Sequence, residues 1–277
     1  MSKSDPTPIG GHGDRAMFLE ALNFTMAHTG FSPRLIEKDY FCTVLLQYLA
    51  TTGVLVFKGG TCLAKVHAEF YRLSEDLDFV IPMPCDATRA ERRRQAEGLK
   101  KTVADLATKL EGFAVVEPLT GANVSTQYVS VIGYDSLLSG QQEGIKIEIG
   151  LREPLLTPVF DGAAKTALLD PVSGQPMVPP LAVPCISRME AFAEKFRAAL
   201  SRREVAIRDF YDIDYAVRRL DLQARDPALI ELVRQKLAVP GNEPADASEA
   251  RLAILRRQLD SRLKPVLRGA DFTEFDL

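Results

Sequence analysis

The sequence predicts an α/β protein, with a mixed β-sheet and flanking helices followed by a C-terminal helical lobe. Three observations carry this. Short apolar runs with period two alternate with longer stretches of helical spacing up to about residue 150. A Pro-rich connection, Pro171 to Pro184, then interrupts regular structure. Beyond it only helical patterns recur. The expected division is therefore an N-terminal tail and entry at 1–32, an α/β domain at 33–184 and a helical domain at 185–277.

Taken in order, Met1 to Asp14 is rich in Gly and Pro without an apolar core, so it reads as a flexible tail rather than a signal peptide or membrane segment. Pro33 to Thr51 reads as a helix on Leu35, Tyr40, Val44, Leu45 and Leu49, ended by Gly53. Val54 to Phe57 is an apolar run of strand length, and Cys62 to Tyr71 has helical spacing. In Arg72 to Ile81, Leu77, Phe79 and Ile81 alternate with Asp76, Asp78 and Val80, the mark of a strand. Ala87 to Leu110 reads as a long charged helix. Phe113 to Val116, Thr126 to Ile132 and Ile145 to Ile149 read as strands. Four helices are expected last, at Ile186 to Ala199, Glu204 to Arg219, Pro227 to Ala238 and Ala247 to Lys264. No internal repeat is evident.

Chemistry concentrates at two places. Phe57-Lys58-Gly59-Gly60-Thr61 lies between a strand and a helix. There the two glycines let backbone N–H groups approach a phosphate, and the helix start adds free donors and a positive dipole end. Fifteen residues past Gly60 comes Asp76-Leu77-Asp78, whose period places both carboxylates on one strand face as hard ligands for Mg²⁺. Either half alone is weak, but strand, turn, helix and acidic strand in that order form a nucleotidyltransferase signature. In the strand 145–149, Glu148 and Lys146 face away from the three isoleucines. If that strand lies beside the acidic one, Glu148 completes a three-carboxylate metal site; otherwise it belongs to a solvated edge.

The pattern resembles the DNA polymerase β type of nucleotidyltransferase, with Thr61 where Ser is usual. Further segments narrow it: Glu37-Lys38-Asp39-Tyr40, Lys58 through Lys65, Arg72 through Asp78, Glu194-Lys195-Phe196-Arg197-Ala198 and Arg208 through Asp212. Together, over roughly residues 34 to 215, they resemble the AbiEii/AbiGii toxins of bacterial type IV toxin–antitoxin and abortive-infection systems. Glu148 departs from the more usual Asp of that family, and 82–143 and the chain after 220 carry no motif. The resemblance implies a toxin that transfers nucleotides from a nucleoside triphosphate to a hydroxyl, with the 3′ end of tRNA as acceptor and growth arrest as the consequence. It also implies a separately encoded antitoxin.

On this reading Asp76, Asp78 and Glu148 hold Mg²⁺. Lys58, Gly59, Gly60 and Thr61 cradle the β/γ-phosphates, Lys65 and Arg72 touch the nucleotide, and Ser74 shares the face of Asp76. The family match places Lys195 and Asp209 in the active site. There Lys195 neutralises departing pyrophosphate, and Asp209 either orients it or accepts the acceptor's proton. Transfer to a small molecule or protein, or non-catalytic capture of nucleotide or RNA, are the competing readings.

Hydrophobic and charged fractions of 46% and 26% are ordinary for a folded chain, and no stretch is long and apolar enough for a membrane helix. Four cysteines without Cys-x-x-Cys spacing and three histidines argue against zinc and for reduced thiols in a cytoplasm. A net charge of −3 argues against coating nucleic acid by bulk charge. Arg188, Lys195, Arg197, Arg202, Arg203 and Arg208 nevertheless form a basic run, either a charged helix face or a grip on triphosphate or RNA. A second cluster, Arg92-Arg93-Arg94 with Lys100 and Lys101, reads as a solvated helix face or as part of that basic surface.

Overall fold

The computed structural model describes residues 9, 10 and 12–277, so most of the expected N-terminal tail lies outside the described residues. Its sheet has seven strands: β1 (Val56–Lys58), β2 (Leu77–Val80), β3 (Phe113–Ala122), β4 (Gln127–Asp135), β5 (Gln142–Gly150), β6 (Phe160–Ala164) and β7 (Leu181–Cys185). They lie in the order β3-β4-β5-β2-β1-β7-β6. β2 runs parallel to β5 and β1 parallel to β7, while the other neighbours are antiparallel. The sheet is mixed, as expected. β6 and β7 had no clear signal: β7 is the end of the Pro-rich connection, and Pro184 pairs with Asp161 of β6.

Nine α-helices surround the sheet among the described residues. The first, α1 (Arg15–Thr29), occupies the stretch read as an entry. Asp14 caps it by accepting from the N–H groups of Ala16 and Met17, and Gly30 ends it in the left-handed region at φ 77°. Phe18, Ala21 and Leu22 on its inner face are buried. The next, α2 (Pro33–Ala50), has Ser32 as N-cap and Pro33 in its first turn, and buries all but a few of its residues. The long charged helix is α4 (Arg89–Ala104), opened by a capping box between Thr88 and Glu91. On it Arg92 is not solvated: it is buried and donates to the carbonyls of Leu151 and Cys85.

The alternation in the central strands decides which face each helix covers. Phe57, Leu77, Phe79, Ile145, Ile147 and Ile149 join one core with α1, α2 and α4. Val56 and Val80, one step out of phase, join a second core with the C-terminal helices. Those are α5 (Arg188–Ser201), α6 (Ile207–Arg219), α7 (Pro227–Ala238), α8 (Glu249–Gln258) and α9 (Gly269–Glu274). The sheet is thus a middle layer. Lys58, Asp78 and Glu148 are in phase with Val56 and Val80, so they face the helical lobe.

The turn after β1 departs from expectation. Instead of a helix from Cys62 to Tyr71, a short α3 (Gly59–Cys62) passes directly into a wide π-turn, Leu63–His67. Glu69 and Phe70 then take positive φ, at 47° and 59°, and turn the chain back toward β2.

Candidate functional site

Three strands and two helices meet around an open cavity of about 270 Å³ between the sheet and the helical lobe. The end of β1 and the glycine turn supply Lys58, Gly59 and Gly60, and the approach to β2 and the strand itself supply Arg72, Ser74, Asp76 and Asp78. β5 supplies Lys146 and Glu148; α5 and α6 supply Glu194, Lys195, Arg197, Arg208 and Asp209. Ser74, Asp76 and Asp78, spaced by two, reach the same cavity although only Asp78 lies in the regular strand.

Both glycines are required by what approaches them. Gly59 has φ +77°, and a Cβ there would overlap the Asp78 carboxylate, lying 2.7 Å from Asp78 Cβ. A Cβ on Gly60 would lie 2.7 Å from the Arg72 guanidinium and 3.2 Å from Ser74 Oγ. The turn therefore presents bare backbone to the acidic strand.

The carboxylates are in register. Asp78 sits opposite Glu148 across the parallel β2–β5 pair, which realises the condition on which Glu148 depended. Burial, and next the Glu148 charge, push the Asp78 carboxyl up to about 6. Asp76 is likewise raised by burial, with Arg208 opposing. For Glu148 burial works in the same direction, but the Lys146 ammonium at 2.8 Å outweighs it and the carboxyl stays below its ordinary value. Three hard carboxylate oxygen donors on one wall, two of them raised by burial, form a donor set suited to a divalent cation such as Mg²⁺. Their oxygens are spread more widely than a closed triad, since Cys62, His67 and Cys185 alone form such a cluster within 4.8 Å among the described residues.

Facing that wall is a line of cations held by buried acids. Lys195 Nζ lies 2.9 Å from Asp209 and 2.8 Å from Asp212. Asp212 also accepts from Arg72 Nε at 2.6 Å, from a second Arg72 nitrogen at 2.8 Å and from the Tyr71 hydroxyl at 2.6 Å. Burial opposes the charge on Asp212, but Arg72 and Lys195 outweigh it and hold its carboxyl far below the carboxylate range. The same contest leaves Lys195 raised, with Asp209 and Asp212 overcoming burial. Lys58 is fixed in the same manner, at 2.9 Å from Glu194. Lys236, wholly buried, braces Glu194 from behind at 3.3 Å and bonds Glu190 at 2.8 Å.

Two of the expected nucleotide contacts lie elsewhere. Thr61 is buried, and its hydroxyl donates to the Asp76 carbonyl, so it ties the glycine turn to the acidic strand rather than facing a phosphate. Lys65, within the π-turn, points into the opposite core. There it meets Asp39 at 2.6 Å and donates to Thr43 Oγ1 at 2.7 Å. The upstream Glu37-Lys38-Asp39 also serves structure. Glu37 accepts from the N–H groups of Leu137 and Leu138 and from Ser136; Asp39 accepts from Ala167 N–H; Lys38 pairs with Glu75 at 3.3 Å, beside Asp76.

Lys146 was visible in sequence only as the same-face neighbour of Glu148, and period two was the signal that could have placed it in the site. Asp212 was visible only as the end of the Arg208 through Asp212 segment, and its tie to Arg72 is tertiary and left no local mark.

Comparison with curated proteins finds no match. Two solved structures resemble the chain at low identity, both from Helicobacter pylori. One, described as a candidate nucleotidyltransferase, is 16% identical with a TM-score of 0.41, covering 92% of this chain and 82% of its own. The other, JHP933, is 18% identical with a TM-score of 0.41, covering 89% and 93%. The family model described as the nucleotidyl transferase AbiEii toxin of type IV toxin–antitoxin systems matches residues 48–276. That span takes in the glycine turn, all three carboxylates and the cation line, and the chain belongs to the AbiEii family of toxin nucleotidyltransferases.

Proposed function

We propose that this chain transfers a nucleotidyl group from a nucleoside triphosphate to the 3′-hydroxyl of tRNA, with Mg²⁺ held by Asp76, Asp78 and Glu148. The family supports toxin nucleotidyl transfer in general. The observation that carries the finer reading is the convergence of a bare glycine turn, three carboxylates and a braced lysine on one cavity. Bound there, the cation would supply charge neutralisation for the triphosphate.

The protein's own groups do the positioning. Backbone at Gly59 and Gly60, at a helix start, lines the cavity where the phosphates would lie, and Lys58 and Ser74 flank it. Lys195, fixed by Asp209 and Asp212, offsets the charge that builds on the leaving pyrophosphate. In this reading Asp209 orients Lys195. The acceptor oxygen bonds to the α-phosphorus as the bond to pyrophosphate breaks, and the hydroxyl proton passes to a cavity carboxylate. An RNA acceptor is favoured by a second cavity of about 660 Å³ that shares Arg202 and Arg208 with the first and is also lined by Arg203, Arg251 and Arg262. A wholly cytoplasmic site of action and a separately encoded antitoxin belong to the same proposal.

The test is to incubate purified protein with total RNA, Mg²⁺ and each labelled nucleoside triphosphate in turn. Label entering RNA of tRNA size, lost after periodate blocks the 3′ ends, is expected. Label entering only protein or small molecules would overturn the acceptor, and no transfer with any nucleotide would overturn the reading.

A further inference from the structure

The fold gathers a second set of metal-type ligands away from the cavity. Cys62 ends α3, His67 ends the π-turn and Cys185 ends β7. Their ligand atoms all lie within 4.8 Å of one another, although 118 residues separate His67 from Cys185. Both cysteines are fully buried, while His67 is only partly so and opens the cluster toward solvent.

The surroundings are arranged as around a ligand set. His67 Nε2 donates to the Ile186 carbonyl at 3.0 Å, which fixes the ring and makes Nδ1 the nitrogen with a free lone pair. Such a hydrogen bond to a backbone carbonyl is what orients histidines that ligate metals. Gly162 of β6 leaves room for the sulfur, since a Cβ there would lie 2.7 Å from Cys185 Sγ and 2.6 Å from Val66.

We propose that Cys62, His67 and Cys185 bind one thiophilic d¹⁰ cation of the zinc type, with water in the fourth position. Two sulfurs and an imidazole suit such an ion and not Mg²⁺, so this site is separate in chemistry from the carboxylate wall. Binding releases the thiol protons to solvent. The ion would join Cys62, two residues past Gly60, to the last residue of β7. It would thus clamp the glycine turn to the sheet. The sequence hid this site because its ligands lack a shared short spacing.

Co²⁺ titration of the reduced full-length protein reads the site directly. One equivalent should give a thiolate-to-metal charge-transfer band, displaced by one equivalent of Zn²⁺ and unaffected by excess Mg²⁺. Cys62→Ser and Cys185→Ser should lose the band, His67→Gln should weaken binding about tenfold or more, and Cys85→Ser and Asp76→Asn should leave it unchanged. If the buried serine variants fail to fold, the wild-type spectrum and the partly exposed His67→Gln decide. Reduced wild type without the band, or a band that His67→Gln and either folded serine variant leave unchanged, overturns the proposal.

Discussion

Asp78 carries the clearest electrostatic signature in the site, because its carboxyl is held near 6 by burial and by Glu148 rather than at the ordinary 3.8. A carboxyl raised on folding penalises the folded state at pH above its folded value, and the penalty disappears once both states are protonated below 3.8. Asp78→Asn should therefore raise the melting stability of metal-free protein at pH 8, by between about 1 and 3 kcal/mol. Thermal denaturation in chelator should show that gain shrinking at pH 5; a gain independent of pH would refute the assignment. Asp212 has the opposite sign. Its carboxyl is held far below the carboxylate range by Arg72 and Lys195 despite burial, so its contribution is full above the unfolded carboxylate value and is lost as pH falls below it. Asp212→Ala should cost about 3–5 kcal/mol at pH 7, since it leaves the buried Arg72 without its carboxylate and takes one of two acidic partners from Lys195. Gly59→Ala should combine strain at φ +77° with displacement of Asp78, costing about 1–3 kcal/mol, and calorimetry beside a transfer assay would show both losses.

Among the elements, those that alternate in burial were legible and those fixed by distant partners were not. Ile145, Ile147 and Ile149 against Lys146 and Glu148 announce β5 and its two faces, and Asp76-Leu77-Asp78 announces the acidic strand. What local pattern could not give was their adjacency, because the Asp78–Glu148 register is a parallel pairing across 70 residues. β7 was hidden by Pro184 and by the prolines just before it, and α1 by the polar stretch that precedes it. The spacing predicts an ordinary helix where the chain makes a π-turn, and that wider turn sends Lys65, placed at the nucleotide by the family resemblance, toward Asp39 instead. Lys65→Met consequently tests the element rather than the chemistry. It should lower stability by about 3–5 kcal/mol by leaving Asp39 buried without its partner, while nucleotide affinity of the folded fraction, measured by calorimetric titration, stays at the wild-type value.

At the scale of the whole molecule, one sheet serves two purposes through its two faces. One face is closed by α1, α2 and α4 into an apolar core; the other is closed by the C-terminal helices except where Lys58, Asp78 and Glu148 keep a polar gap open. Lys195 therefore reaches the cavity from a different part of the chain than the carboxylates. Lys195→Ala should slow transfer by the folded protein by about a hundredfold or more, and an unchanged rate would detach the helical lobe from catalysis. Induction in bacteria separates an enzyme from a sequestering protein: growth arrest by wild type should be relieved by Asp76→Ala at equal protein level, because RNA capture needs the arginines of the groove but not the aspartate. The most direct test of the central claim is the rate at which folded Asp78→Asn transfers labelled nucleotide to RNA in Mg²⁺, beside wild type at the same concentration. The account predicts a loss of about a hundredfold or more, and transfer near the wild-type rate would contradict it.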